Sequence, residues 1–188
     1  MRMIVLLISL LISLNVAFTQ ERHLSYFIAV GNGLALGDWG LGYVVNAGLE
    51  FPMNDAISMT PSLSYMKFTD YTYSGIDTPV SHGTKSAISL DAEIKFRPRW
   101  TIAPFVAGGL GLAWIDQGDA VHRLLSGSLW QPPPKSGIRS FGVVRLGVEV
   151  FILKKIAVSA VLSGATSLAS DILYQTMFTG QLGLRISV

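Results

Sequence analysis

Ile88-Ser89-Leu90-Asp91-Ala92-Glu93-Ile94-Lys95-Phe96-Arg97 carries an apolar residue at every even position and a hydroxyl or a charge at every odd one. A β-strand sends successive side chains to opposite faces, so this run has one apolar face and one charged face. Two solvents fit it. In water the charged face points outward and the apolar face covers a core. In a closed barrel within a bilayer the apolar face meets lipid and the charged face lines the lumen. The rest of the chain decides between them.

Half of the 188 residues are hydrophobic and 14% are charged, where soluble domains carry roughly 25% charged residues. Beyond residue 18, however, no uninterrupted apolar run approaches the roughly 20 residues that a membrane helix requires. An apolar chain without membrane helices has the composition of a membrane β-barrel. The 19 glycines and eight prolines suit many turns and close strand contacts. A net charge of +2 implies no nucleic-acid surface. With no Cys, disulfides, thiolate metal sites and a lipidated N-terminal Cys are excluded, and no cofactor is expected.

The first residues read as an address. Met1-Arg2-Met3 precedes the apolar run Ile4 to Leu14, and Ala17-Phe18-Thr19 then places small residues before Gln20. This is the pattern of a secretory signal peptide spanning 1–19, and the short run without a basic stop-transfer cluster argues against an uncleaved anchor. Residues 20–188 then form one domain.

From Leu24 onward about eight alternating segments are separated by turn signals: 24–35, 41–51, 56–68, 88–97, 102–115, 138–151, 156–167 and 174–188. Strands of about 11 to 15 residues exceed the typical soluble length of roughly 5–6 and suffice to cross a bilayer when tilted. Connections alternate in length. Those near 53, 98 and 154 are short, whereas 69–84 and 116–137 are long, as in transmembrane barrels. Aromatic residues fall near strand ends: Phe51, Phe96, Trp100 and Phe151 toward the short turns, Trp39, Trp114 and Tyr174 toward the loops. The expected fold is an all-β, antiparallel, up-and-down transmembrane barrel of about eight strands.

Three features carry a resemblance. They are the leader, the run Ala103-Pro104-Phe105-Val106-Ala107-Gly108-Gly109-Leu110-Gly111-Leu112-Ala113, and the terminal Gly183-Leu184-Arg185-Ile186-Ser187-Val188. With them the chain resembles the small eight-stranded outer-membrane barrels of the outer membrane protein A (transmembrane domain) and outer membrane protein X type. Two departures stand out: the chain ends in Val188 rather than the aromatic residue usual for barrel assembly, and no peptidoglycan-binding domain follows. The resemblance implies a bacterial outer-membrane location, with outer-membrane lipid, lipopolysaccharide and the barrel-assembly machinery as partners and a monomeric state. It also implies periplasmic short turns and extracellular loops 69–84 and 116–137.

With the charged face inward, the luminal acids are Glu50, Asp91, Glu93 and Glu149, and the luminal bases are Lys95, Arg97, Arg145 and Arg185. Four against four predicts an ion-paired plug, since a lumen of eight strands is just wide enough for side chains to fill. Buried charges deprived of water must pair. Paired carboxylates also suit acid–base chemistry, but the balance of charge and the lack of a nearby nucleophile favour structural pairing. Met66, Phe68, Ile115, Phe141, Val143 and Met177 fall on inward positions of the other half, beside Ala107, Gly109, Gly111 and Ala113. These side chains either hold a hydrophobic ligand or fill the space over the glycines, and filling is the favoured reading.

The three histidines offer little chemistry. His23-Leu24-Ser25 contains the His and Ser of a barrel-type lipid hydrolase but no acid to orient them, and His82 and His122 lie without ligand spacing in separate loops. Gly31-Asn32-Gly33 precedes a strand-like segment and is no phosphate loop. Leu124, Leu125, Leu129 and Trp130 form an apolar patch before Pro132-Pro133-Pro134, suited to lipid, a partner or the barrel rim. The functional expectation is a non-enzymatic outer-membrane barrel, structural, adhesive or surface-interacting. The alternatives are a small pore or hydrophobic-ligand conduit, and a lipid-modifying barrel enzyme.

Overall fold

The chain is seen in a computed structural model that describes residues 24–35, 40–69, 78–81, 84–98, 100–117, 121–123, 129–130, 135–168 and 176–188. The signal-peptide reading, His23, Trp39, His82, Leu124, Leu125, the three prolines and Tyr174 lie outside them. Among the described residues no helix is long and apolar enough to cross a membrane.

Among the described residues eleven strands run in chain order: β1 (Ser25–Ala35), β2 (Gly40–Pro52), β3 (Ile57–Thr69), β4 (Thr78–Ser81), β5 (Thr84–Phe96), β6 (Ile102–Gln117), β7 (Val121–Arg123), β8 (Leu129–Trp130), β9 (Lys135–Leu153), β10 (Ile156–Ser167) and β11 (Met177–Ser187). Eight of them close a barrel in the order β1-β11-β10-β9-β6-β5-β3-β2. Every neighbouring pair is antiparallel, including β1 with β11, which joins the first barrel strand to the last and leaves no open edge. The expected eight-stranded antiparallel barrel is the fold.

On β5 the solvent question is settled by exposure. Leu90 is 61% exposed while its strand neighbours Asp91 and Glu93 are 5% and 2% exposed. The same inversion runs round the barrel: Ile28, Val30, Leu110, Leu146, Leu162 and Leu182 face outward, whereas Asn46, Thr60, Ser62, Gln181 and Arg185 are buried. A soluble sheet does the opposite. An apolar exterior over a polar interior is stabilised by hydrocarbon around it, not by water.

Two details differ from the sequence reading. The long connections, expected as loops, contain β4, β7 and β8, which form a separate three-stranded sheet with β7 in the middle. Its strands have only two to four residues, too few for a period-two pattern to register. It ties the β3–β5 connection to the β6–β9 connection through pairs such as Pro79 with His122. β6 and β9 also run to Gln117 and from Lys135, which pair with each other beyond the expected strand ends.

The aromatic belts are also redistributed. Phe96 and Trp114 are exposed on the outer face as expected, joined by Tyr26 toward the short turns and by Tyr43 and Tyr65, whose ring centroids lie 6.1 Å apart, toward the loops, while Trp100 is exposed on the β5–β6 connection beside the barrel mouth. Phe51 and Phe151 do not belong to the belts. Phe51 is buried, and Phe151 shares the inward parity of Glu149 and lies under two guanidinium groups.

Candidate functional site

The polar lumen is built from alternate positions of four strands. β5 supplies Asp91, Glu93 and Lys95, with Arg97 just beyond its end; β2 supplies Glu50, β9 supplies Arg145 and Glu149, and β11 supplies Arg185. Strand periodicity places each on the inner face, and the register brings them to meeting height. All eight charged residues named from the sequence come together there in two groups.

The group nearer the short turns holds Glu50 and Glu149 between three cations. Lys95 Nζ lies 2.9 Å from Glu50 Oε2 and also donates to Glu149 Oε1. Arg97 Nη2 is 3.2 Å from Glu50 Oε1, and its Nη1 donates to Glu149 Oε2. Arg185 Nε is 3.3 Å from Glu149 Oε2, its Nη1 is 3.7 Å from Glu50 Oε1, and the same Nη1 donates to Ser25 Oγ at 3.1 Å. Both arginines stack on Phe151, at 4.9 Å for Arg185 and 5.4 Å for Arg97, and Lys95 Nζ sits 4.4 Å from the Phe105 ring centre. Cations over ring faces gain a further attraction that is strongest where water is excluded.

The second group is smaller. Arg145 Nη2 is 3.0 Å from Asp91 Oδ2 and its Nε is 3.1 Å from Glu93 Oε1. Ser62 Oγ lies 2.8 and 2.9 Å from the two Asp91 oxygens as a donor. The first group therefore carries three cations against two carboxylates, and the second one cation against two carboxylates. Each group is off balance by one charge and the two offset each other. Beside them a cavity of only about 40 Å³ is lined in part by Asn46, Thr60, Glu93 and Arg145.

The loop-side half of the lumen is mostly apolar, with the charged Lys85 buried at its upper end. Met66, Phe68, Ile115, Phe141, Val143 and Met177, the six residues named from the sequence, form one buried cluster with Val44, Ala87 and Ala113. Aromatic rings here cover glycines. Phe141 packs where a side chain on Gly111 would sit, and lower in the barrel Phe105 does the same at Gly147, where an added Cβ would meet its ring at 2.6 Å. Small residue against large ring is how a narrow barrel reaches close packing.

Several participants were absent from the sequence reading as site residues. Ser62 was legible only as one of a polar row with Ser58, Thr60 and Ser64, and nothing local marks it as the partner of Asp91. Phe105 and Phe151 carry an inward parity, but aromatic residues near strand ends also fit a belt. Ser25 is buried and hydrogen-bonded to Ser187 Oγ at 2.9 Å and to Arg185, so its hydroxyl belongs to the lumen floor. The side chains of His122, Leu129 and Trp130 lie outside the described residues.

No family model matches the sequence, and no curated protein matches it. Solved structures do resemble it. The N-terminal β-barrel domain of Pseudomonas aeruginosa OprF superposes with a TM-score of 0.56 at 14% identity, covering 90% of this chain and all of that one. Neisserial surface protein A gives 0.57 at 15% identity, covering 90% and 98%. Ail, the attachment invasion locus protein of Yersinia pestis, solved with the heparin analogue sucrose octasulfate, gives 0.56 at 13% identity, covering 90% and 100%. At these identities the likeness is one of fold: this chain has the fold of the eight-stranded outer-membrane barrels.

Proposed function

We propose that the chain is an integral outer-membrane barrel that works without catalysis, its lumen closed by the ion-paired groups and the apolar cluster above them, and its role carried by the long connections in a structural, adhesive or surface-interacting way. The observation that carries this reading is the packing of eight opposite charges, two bands deep, across a lumen whose cavity at that level is about 40 Å³. A conducting pore needs a continuous water path, and a lumen packed with paired charges and apolar side chains leaves no room for one. The outer-membrane location is supported by the fold likeness to outer-membrane barrels and by the apolar exterior.

In this reading the short turns face the periplasm and the connections 69–84 and 116–137 face outward, the partners are outer-membrane lipid, lipopolysaccharide and the barrel-assembly machinery, and the protein is a monomer. The enzyme alternative is disfavoured because Ser25 Oγ is engaged by Arg185 and Ser187. The hydrophobic-conduit alternative is disfavoured because the six apolar lumen residues pack on one another. Planar-bilayer recordings test the closure. The purified barrel is expected to give no stable channel, and a large, persistent conductance refutes it. Protease added to intact cells is expected to cut the long connections and spare the turns near 53, 98 and 154.

A further inference from the structure

At the short-turn end the barrel opens into a cavity of about 670 Å³, a size that accommodates a small organic molecule. Its floor is the outer side of the larger charged group, with Lys95 and Glu149 behind it. Arg97 and Arg185 line it, with Glu50 between them, while the triad of Asp91, Glu93 and Arg145 is shut off behind Lys95 and is not part of its wall. Its rim adds Lys154 and Lys155 from the β9–β10 turn, against Asp55 from the β2–β3 turn. With Lys95 and Glu149 just behind the wall counted, five cations at this end stand against three carboxylates, Glu50, Glu149 and Asp55. The remaining wall mixes the polar Ser25, Asn54, Thr101 and Ser187 with flat apolar surface: Phe151 beneath the two guanidinium groups, Trp100 on the β5–β6 connection, and Pro52 and Pro98 beside the turns.

These features belong together chemically. A concave, partly apolar wall in which the field is focused by a surplus of fixed cations concentrates anions. Arg97 and Arg185 line the cavity already held in place by Glu50, Glu149, Ser25 and Phe151, so a ligand meeting them pays no cost for ordering their side chains. Lys154 and Lys155 are exposed and supply point charge at the entrance. Aromatic and proline surface gives an adjoining apolar body a place to lie. We infer that the short-turn mouth is a binding site for a small organic anion, one that pairs a phosphate, sulfate or carboxylate group with a flat apolar body. The site lies at the opposite end of the barrel from the long connections, and it stands whether or not the lumen conducts.

The test uses the full chain, isotope-labelled and folded in an uncharged maltoside detergent, titrated with phenylphosphate, with inorganic phosphate, and with benzylammonium as the charge-reversed probe. Phenylphosphate is expected to saturate below ~10 mM and to shift the backbone amides of Thr101, Lys154, Lys155 and Ser187, with phosphate weaker and benzylammonium without effect. The paired Lys154→Gln and Lys155→Gln substitutions, on an exposed turn outside the packed lumen, are expected to weaken phenylphosphate about tenfold without altering the folded gel mobility. Shifts scattered over the loop-side residues, equal binding of benzylammonium, or unchanged affinity in the double variant each overturn the site.

Discussion

The two halves of the lumen solve one packing problem with different chemistry. Toward the short turns, space is filled by charges that must meet: Glu50, Glu149, Lys95, Arg97 and Arg185 in one band, Asp91, Glu93 and Arg145 in the next. Toward the loops it is filled mainly by Phe68, Ile115, Phe141 and their apolar neighbours, which are held chiefly by close contact. Buried charge is unforgiving, because removing one member strands the other without water. Apolar packing is graded, and each lost methyl costs a share of the whole. The barrel therefore has a half in which single substitutions act through uncompensated charge and a half in which they act through volume.

The largest effect is expected at Arg145, the sole cation that the second group sets against Asp91 and Glu93. Arg145→Leu should lower stability by roughly 3–5 kcal/mol, read as a fall in the temperature at which the folded gel band converts to the unfolded one. Lys95→Met should cost less, since Arg97 and Arg185 still hold both Glu50 and Glu149. An Arg145→Leu barrel as heat-stable as the parent would erase the distinction between the halves.

Next comes the outer surface. Leu90→Arg should cost roughly 2–4 kcal/mol if Leu90 lies near the bilayer midplane, with smaller costs for the same change at Ile88 or Phe96 nearer the interfaces. Denaturant unfolding from vesicles measures this series, and a flat profile with position would contradict a lipid-facing β5. Ser62→Ala removes a hydroxyl that donates to both Asp91 oxygens and should cost roughly 1.5–3 kcal/mol. A loss below half of that, by the same unfolding measurement, would mean that Arg145 alone satisfies Asp91.

The smallest change belongs to the apolar half. Ile115→Val removes one methylene from a fully buried side chain and should cost roughly 0.5–1.5 kcal/mol, with no dependence on salt. A larger, salt-sensitive loss would show that the two halves are not independent.

Much of this was legible before any coordinates. The alternation over Ile88 to Arg97 carries β5's two faces directly, because a strand's period of two cannot be shifted by one residue without exchanging them. The same parity placed all eight charged residues and the six apolar ones on the inner surface. Their partners were not legible. That Arg145 meets β5 through Asp91 and Glu93, while Glu149, four residues on, meets Lys95, Arg97 and Arg185, depends on stagger between strands, which no single strand encodes. The sheet of β4, β7 and β8 escaped for a related reason: its strands are too short to show a period, and the β4–β7 pairing joins residues 40 to 45 positions apart in two different connections. Phe151 was ambiguous, since a belt and a cation-stacking floor both take an aromatic residue near a strand end.

The central claim is that the polar face of the strands looks into a lumen closed to water. The chain has no cysteine, so single cysteines can be introduced cleanly. Ser62→Cys and Ser89→Cys are nearly isosteric changes at buried inward positions, and Met53→Cys marks an exposed turn. Their rates of reaction with a water-soluble cationic methanethiosulfonate, in permeabilised vesicles open to both sides, discriminate the possibilities. The two inward cysteines are expected to react about a hundredfold more slowly than the one at Met53, because a thiol reacts only where reagent and water reach it. Rates at Ser62 and Ser89 equal to that at Met53 would contradict the account, whether the cause is an open pore or a soluble sheet whose polar face meets water.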